Sequence, residues 1–281
     1  MPLYEQIQEA AAFIRSRTSF QPRTGIVLGT GLGNLTDDIS VETEINYKNI
    51  PHFAQSTVES HQGKLVFGSM APATTRVGSG HSVVVMSGRF HWYEGWTMEQ
   101  VTFPIRVLKA LGIERIIITN VSGGVNPHFR AGDLVIVRDH INLLPENPLR
   151  GANDERLGPR FPDMLHTYDE HLRQKTLEFA QKLGIRAFEG VYSALPGPNL
   201  ETPAEYDMLR RLGSDCTGMS SVPEVLVARH SNLPVLMISL VSNVSYPRSA
   251  IRVTTLEEVI ATAQTAEPNM RLLIRELLSY L

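Results

Sequence analysis

Two side chains two positions apart, Arg89 and His91, follow the apolar run His81 to Met86. On an extended backbone that spacing sends both to one side. Arginine offers a planar fork of N–H donors matched to phosphate oxygens, and the imidazole adds another. Gly88 before the pair and Tyr93 and Trp96 after it suit a packed, partly buried segment; a surface arginine is the plainer reading. A second anion-binding candidate is Gly29-Thr30-Gly31-Leu32-Gly33, which can turn tightly and aim backbone N–H groups at a negative ligand; the plainer reading is a glycine-rich turn. His61, ahead of Gly63, is either a further donor or a structural histidine. A lone carboxylate, Glu201, stands just ahead of Thr202-Pro203-Ala204-Glu205, a capping box with proline in the first helical position. Ser221-Val222-Pro223-Glu224 repeats that grammar, and Cys216 to Ser220 forms an apolar turn between the two. Two helix N-termini, a small-residue turn and an acid are the parts of a pocket for an anion and a polar ligand. They are equally the parts of two well-capped surface helices.

Other chemistries fail on spacing. A dinucleotide fingerprint G-x-G-x-x-G needs glycine at position 34, and Asn34 is there. No G-x-x-x-x-G-K-[ST] occurs. The nine histidines show no H-E-x-x-H or other ligand spacing, so no metal is expected. Gly218-Met219-Ser220-Ser221-Val222 is not a nucleophile elbow, because position 222 is not glycine. Cys216, without a basic neighbour, reads as a small buried hydrophobe.

The elements that position these residues follow from periodicity. Leu3, Ile7, Ala11 and Ile14 fall on one helical face. Short apolar strands are expected at Gly25–Leu28, His81–Met86, Ile116–Ile118, Leu134–Val137 and Pro234–Leu240, and further strands at 41–47, 64–70 and 187–194. Helices are expected at Thr97–Leu111 (bent at Pro104), at Thr167–Leu183 and at Thr255–Leu281, the last broken or bent at Pro268. Thr97–Gln100 and Thr167–Glu170 read as capping boxes. Residues 142–163 lack periodicity, and so long a loop in a compact chain is usually functional or an interface element. Residues 244–254 read as a mobile loop. Strands alternate with helices and no linker or repeat interrupts them. The expectation is a single α/β domain over residues 1–281, with a central mixed, largely parallel sheet flanked by helices.

The strands share one feature. Thr30 follows the first, Arg89 and His91 another, Asn120 and Ser122 a third, and Asn243 the last. Open α/β sheets bind ligands outside the carboxyl ends of their strands, so residues far apart in sequence are expected to converge on one site.

Composition narrows the classes. The chain has 281 residues, 42% hydrophobic and 20% charged, enough for a sizeable core and too apolar for disorder. A net charge of −3 gives no reason to expect nucleic-acid or anionic-membrane binding. One cysteine permits no intrachain disulfide, which fits a reducing compartment. The N-terminus has no signal-peptide pattern and no window approaches a membrane span of ~18 apolar residues. A cytoplasmic protein is expected.

Several long motifs, in order, resemble the trimeric purine nucleoside phosphorylases: Gly29 to Gly33, His61-Gln62-Gly63-Lys64-Leu65-Val66-Phe67-Gly68, Gly88-Arg89-Phe90-His91-Trp92-Tyr93-Glu94-Gly95, Thr119-Asn120-Val121-Ser122-Gly123-Gly124-Val125-Asn126-Pro127, and all of 196–230. The resemblance runs from about residue 24 to Asn243. It implies reversible phosphorolysis of 6-oxopurine nucleosides to free base and ribose 1-phosphate, with inorganic phosphate as co-substrate and no cofactor. It also implies roles. Thr30, Arg89, His91, Ser122 (through its backbone) and Ser220 would hold phosphate, with His61 closing over it. Tyr93 and Met219 would contact the ribose, together with Phe161 from a neighbouring subunit of a homotrimer. Glu201 and Asn243 would bind the purine, beside Leu200, Gly123, Thr217 and Gly218; Asn243, Glu201 and His91 would carry the catalysis. Leu256 stands where many relatives have a histidine reaching the ribose 5′-hydroxyl, which opens the 5′ preference. Leu200, Thr217 and Val121-Ser122 also depart from the family pattern without removing a phosphate or base contact. Alternatives are a 5′-methylthioadenosine phosphorylase-type enzyme, a xanthosine-accepting variant, and a nucleoside-binding protein without turnover.

Overall fold

Apolar runs such as Ile116-Ile117-Ile118 carry no polar face, so a strand made of them must be covered on both sides. The computed structural model describes residues 1–55, 57, 62–72 and 80–281, and it covers them so. Nine strands are described: β1 Thr24–Val27, β2 Ile39–Asn46, β3 Lys64–Met70, β4 His81–Ser87, β5 Arg115–Gly124, β6 Leu134–Asn142, β7 Ala187–Ala194, β8 Cys216–Gly218 and β9 Val235–Val244. The helices are α1 Leu3–Arg15, α2 Met98–Leu111, α3 Glu170–Lys182, α4 Pro203–Leu212, α5 Val222–His230 and α6 Leu256–Tyr280. Side chains alternate between the faces. Val27, Val84, Met86, Ile116, Ile118, Val235 and Met237 join α1, α2 and α5 in one core. Ile26, Val83, Val85, Ile117, Leu236 and Ile238 join α3 and α6 in the other.

The strand order is β2-β3-β4-β1-β5-β8-β7-β6-β9, and β5 also pairs with β9. The last five strands therefore close on themselves as a ring. Among the described residues five ladders are parallel and four antiparallel, so the sheet is mixed, as expected. One detail decides where a ligand can sit. Along one side of β5, β1 pairs with Arg115 to Ile118 and β8 pairs with Gly123 and Gly124. Between them residues 119–122 pair only with β9 on the other side. The sheet forks there.

Some local expectations are corrected. β5, β6 and β9 run on past their apolar cores, so Asn120, Ser122 and Asn243 lie within strands instead of after them; register-matched pairing of Thr119 to Gly124 with Ile238 to Val244 carries the polar residues along. Cys216 to Gly218 is a strand, not a turn, because it is sandwiched between β5 and β7. The capping boxes at Thr97 and Thr202 form, but the one at Ser221 does not: Ser221 has φ 70° and makes no side-chain cap bond. Tertiary partners take both of its members, as described below. α3 starts at Glu170, not Thr167, because Asp169 Oδ1 accepts from Leu172 N at 2.8 Å while Thr167 turns back to Met164. α6 continues unbroken through Pro268.

Candidate active site

A cavity of about 430 Å³ opens at the fork of the sheet. Thr30, Arg89, His91, Tyr93, Ser122, Gly123, Leu200, Glu201, Thr217, Gly218, Met219, Ser220 and Asn243 all line it. Residues from strand ends far apart in sequence thus converge, as the sequence pattern requires. Phe161 does not line this cavity in its own chain; it is 86% exposed, in the loop between β6 and α3. His61 lies outside the described residues.

One part of the wall gathers a glycine turn and a buried arginine. The turn after β1 closes with Leu32 N donating to the Gly29 carbonyl at 3.2 Å, and Gly31 sits at φ 73°, where a side chain would be strained. Gly29 is fixed by proximity: a Cβ there would come 2.7 Å from the Asn120 Cα. Gly29 N also donates to Thr119 Oγ1 at 3.3 Å. Arg89, 1% exposed, is tied to the same point through the Thr119 carbonyl. It also donates to Ser221 Oγ at 2.7 Å, Glu224 Oε2 at 3.1 Å, the Val27 carbonyl at 3.3 Å and Ser220 Oγ at 3.4 Å. Thr119 thus fastens the glycine turn to the guanidinium, and the guanidinium to Ser220.

Glu224 was expected as a helix cap and serves here as a buried counter-ion. Desolvation raises its pKa, and the Arg89 charge works against that. A buried charge left without its partner is strongly unfavourable, which is why the local capping grammar loses. Ser221 Oγ meanwhile accepts from Arg89 and from Asn120 Nδ2 at 2.9 Å.

His91 is held by Glu94, three positions further on. Glu94 Oε1 lies 2.9 Å from His91 Nδ1 and accepts from its backbone N–H at 2.8 Å, while Oε2 accepts from Thr57 N at 2.7 Å. Burial pushes the Glu94 carboxyl up, but these bonds outweigh it and hold it down to about 2. The imidazole stacks on Tyr93 at 4.7 Å. Tyr93 is itself pushed up to about 12, by burial and by Glu94, and stays a neutral phenol. The spacing His91-x-x-Glu94 was the available signal.

The other part of the wall carries a carboxylate and a carboxamide, Glu201 and Asn243. Glu201 Oε1 accepts from Thr217 Oγ1 at 3.3 Å, and a carboxylate's two oxygens can accept more than one such bond. Asn243 Oδ1 accepts from Ser242 Oγ at 2.8 Å, and its Nδ2 donates to Ser245 Oγ at 3.0 Å. Each end of that amide keeps one further hydrogen-bonding position. Tyr206 lines the cavity beside Glu201; burial first, then the Glu201 carboxylate, push it up to about 12. Ser242, Ser245 and Tyr206 were not singled out from the sequence, though the two serines flank Asn243 at one and two positions. Thr254, Thr255, Leu256 and Val259 complete the lining from the start of α6. Cys216, buried and pushed up to about 12 by desolvation, supplies no thiolate.

Among the described residues, no group of three or more His, Cys, Asp or Glu is placed to hold a metal ion, and no helix is long and apolar enough to cross a membrane.

The geometry agrees with what this chain is similar to. The model of the phosphorylase superfamily matches residues 23–279. Purine nucleoside phosphorylase 1 of Geobacillus stearothermophilus is 51% identical over 239 residues, covering 85% of this chain and 84% of the relative. Purine nucleoside phosphorylase of Schistosoma mansoni in complex with adenosine superposes with a TM-score of 0.90 at 38% identity, over 99% of this chain and 97% of that one. Isoform 2 from the same organism, in complex with cytosine and ribose-1-phosphate, gives 0.91 at 38% identity with the same coverage.

Proposed function

The chain belongs to the phosphorylase superfamily and phosphorolyses purine nucleosides; on that premise we propose how its cavity divides the work, and that it prefers 6-oxopurines. The observation that carries the reading is the pairing, on one cavity, of an anion-binding wall with a carboxylate and a carboxamide. Thr30, Arg89, His91, Ser122 and Ser220 hold phosphate, joined by His61. Tyr93 and Met219 face the ribose, with Phe161 of a neighbouring protomer. Glu201, Asn243, Leu200, Gly123, Thr217 and Gly218 surround the base.

Cleaving the glycosidic bond leaves cationic character on the sugar and negative charge on the departing purine. Asn243 stabilises that charge by donating its remaining Nδ2 N–H to the N7/O6 edge of the purine, a contact that strengthens as charge develops. Its orientation by Ser242 and Ser245 supports the role, since a fixed amide needs no reorganisation during reaction. Phosphate, held by Arg89 and its partners, is nucleophile and countercharge together. Glu201 accepts from N1–H of a 6-oxopurine and from the 2-amino group of guanine. Adenine presents a bare acceptor at N1, facing lone pairs, and such an unpaired buried group costs about 1–3 kcal/mol. Because a similar protein was crystallised with adenosine, a ratio and not an exclusion is the expected outcome.

Inosine, guanosine and their 2′-deoxy forms are therefore the proposed substrates. Phosphate is the co-substrate and no metal or cofactor enters. The exposure of Phe161 supports a homotrimer. A single domain over residues 1–281 and a cytoplasmic location complete the reading. The test is a panel of inosine, guanosine, xanthosine, adenosine and methylthioadenosine, with and without phosphate, scored for free base. Release at equal rate without phosphate would overturn it in favour of hydrolysis.

A further inference from the structure

α6 does more than close the cavity mouth. Its first turn, with Leu256 and Val259, lines the cavity. One turn on, it meets the glycine turn that carries Thr30: a Cβ on Gly31 would come 2.8 Å from the Ala263 Cβ and 3.5 Å from the Ile260 carbonyl. Another turn on, Glu267 Oε2 accepts from Asn34 Nδ2 at 2.7 Å. Further along, Arg271 Nε donates to Asp38 Oδ2 at 2.8 Å. The segment from Gly31 to Asp38 is thus seated along one helix.

Within that seam Glu267 is out of place on packing grounds. It is 2% exposed, and Ala263, Ala266 and Met270 around it are apolar and buried. Among the described residues, its second oxygen, Oε1, has no hydrogen-bond partner. Burial raises its pKa, and the bonds from Asn34 and the Leu35 backbone oppose that. A residue serving only the core would be apolar here, because a carboxyl is buried at a cost unless its bonds repay it. Those bonds all run to the start of the short 3₁₀ turn Gly33–Asp38, immediately after the glycine turn.

We infer that Glu267 is a positioning residue for phosphate: through Asn34 it fixes the end of the Gly29 to Gly33 turn and so the place of Thr30 and of the backbone N–H groups beside it. Glu267 touches no substrate itself. The inference rests on the reading that this turn binds phosphate.

The experiment compares Glu267→Ala, Glu267→Gln, Asn34→Ala and the double variant N34A/E267A, with Thr30→Ala as control. Rates are measured with phosphate varied at saturating inosine, and with inosine varied at saturating phosphate. Glu267→Ala and Asn34→Ala are each expected to raise the KM for phosphate about three- to tenfold, with the KM for inosine within about twofold of the parent. The double variant is no worse than the worse single one, since both remove the same link. Glu267→Gln, which can still accept from Asn34, recovers to within about twofold. Equal rises in both KM values, a fall in kcat alone, or additive effects in the double variant would overturn the inference. Should Glu267→Ala fail to fold, Asn34→Ala carries the test alone, because Asn34 is exposed. If Thr30→Ala leaves the phosphate KM unmoved, the reading of the turn itself fails; if it raises that KM while Asn34→Ala and Glu267→Ala do not, only the role of Glu267 fails.

Discussion

Glu94 Oε1 lies 2.9 Å from His91 Nδ1 and takes the His91 backbone N–H as well, so one carboxylate fixes both the ring and the main chain of a cavity residue. Its carboxyl is held down to about 2 against an ordinary value of 4.5. A depressed folded-state pKa contributes stability above the unfolded value and loses it as pH falls through the folded one. Glu94→Gln should therefore lower Tm by about 2–4 °C at pH 7. The difference from the parent should shrink below about pH 4.5 and vanish near pH 2. Thermal melts between pH 7 and pH 3 check this; a difference that stays constant with pH would show that the charge on Glu94 is irrelevant.

Asn243 is poised by Ser242 and Ser245. If its contact grows in the transition state, Asn243→Ala lowers kcat by about 10²–10³ while KM for inosine changes far less. Steady-state kinetics with inosine decide it, and a rise in KM at constant kcat would remove the assigned role.

Glu201 lines the cavity and accepts from Thr217 Oγ1. Glu201→Ala should cut kcat/KM for inosine by about one to two decades and leave adenosine nearly unchanged. The inosine-to-adenosine ratio is the readout. A ratio that does not move means the carboxylate does not read the base.

Leu256 lines the cavity, is 61% exposed and has no side-chain donor. Discrimination between inosine and 5′-deoxyinosine should therefore be weak, within about threefold in kcat/KM. Leu256→His should shift that ratio toward the 5′-hydroxyl by about tenfold. Strong discrimination by the parent enzyme would place the 5′-hydroxyl contact on another residue.

Much of this was legible in the sequence, for physical reasons. Buried strands announce themselves as apolar runs because both faces are covered, and Arg89 and His91, two apart, do reach one cavity. What stayed illegible was set by distant partners. Ser221-Val222-Pro223-Glu224 matches a capping box in every residue, yet Arg89, far away in sequence, claims Ser221 and Glu224. β8 is three residues long and has no periodicity to detect; only the ring of strands defines it. Glu94, Ser242, Ser245 and Glu267 are distinguished by their bonds to other residues of the chain, so their neighbours had to be seen first.

The fork in the sheet has an evolutionary consequence. Between β1 and β8, residues 119–122 of β5 present main-chain groups that no strand claims on that side. A mutation can replace a side chain but cannot delete a peptide N–H, proline apart. Main-chain contacts drawn from that stretch come with the topology, so a change of side chain at Val121 or Ser122 leaves the peptide N–H groups in place. Side-chain contacts such as Glu201 and Asn243 have no such protection. Divergence within this scaffold should therefore alter which base is taken more readily than whether an anion is held.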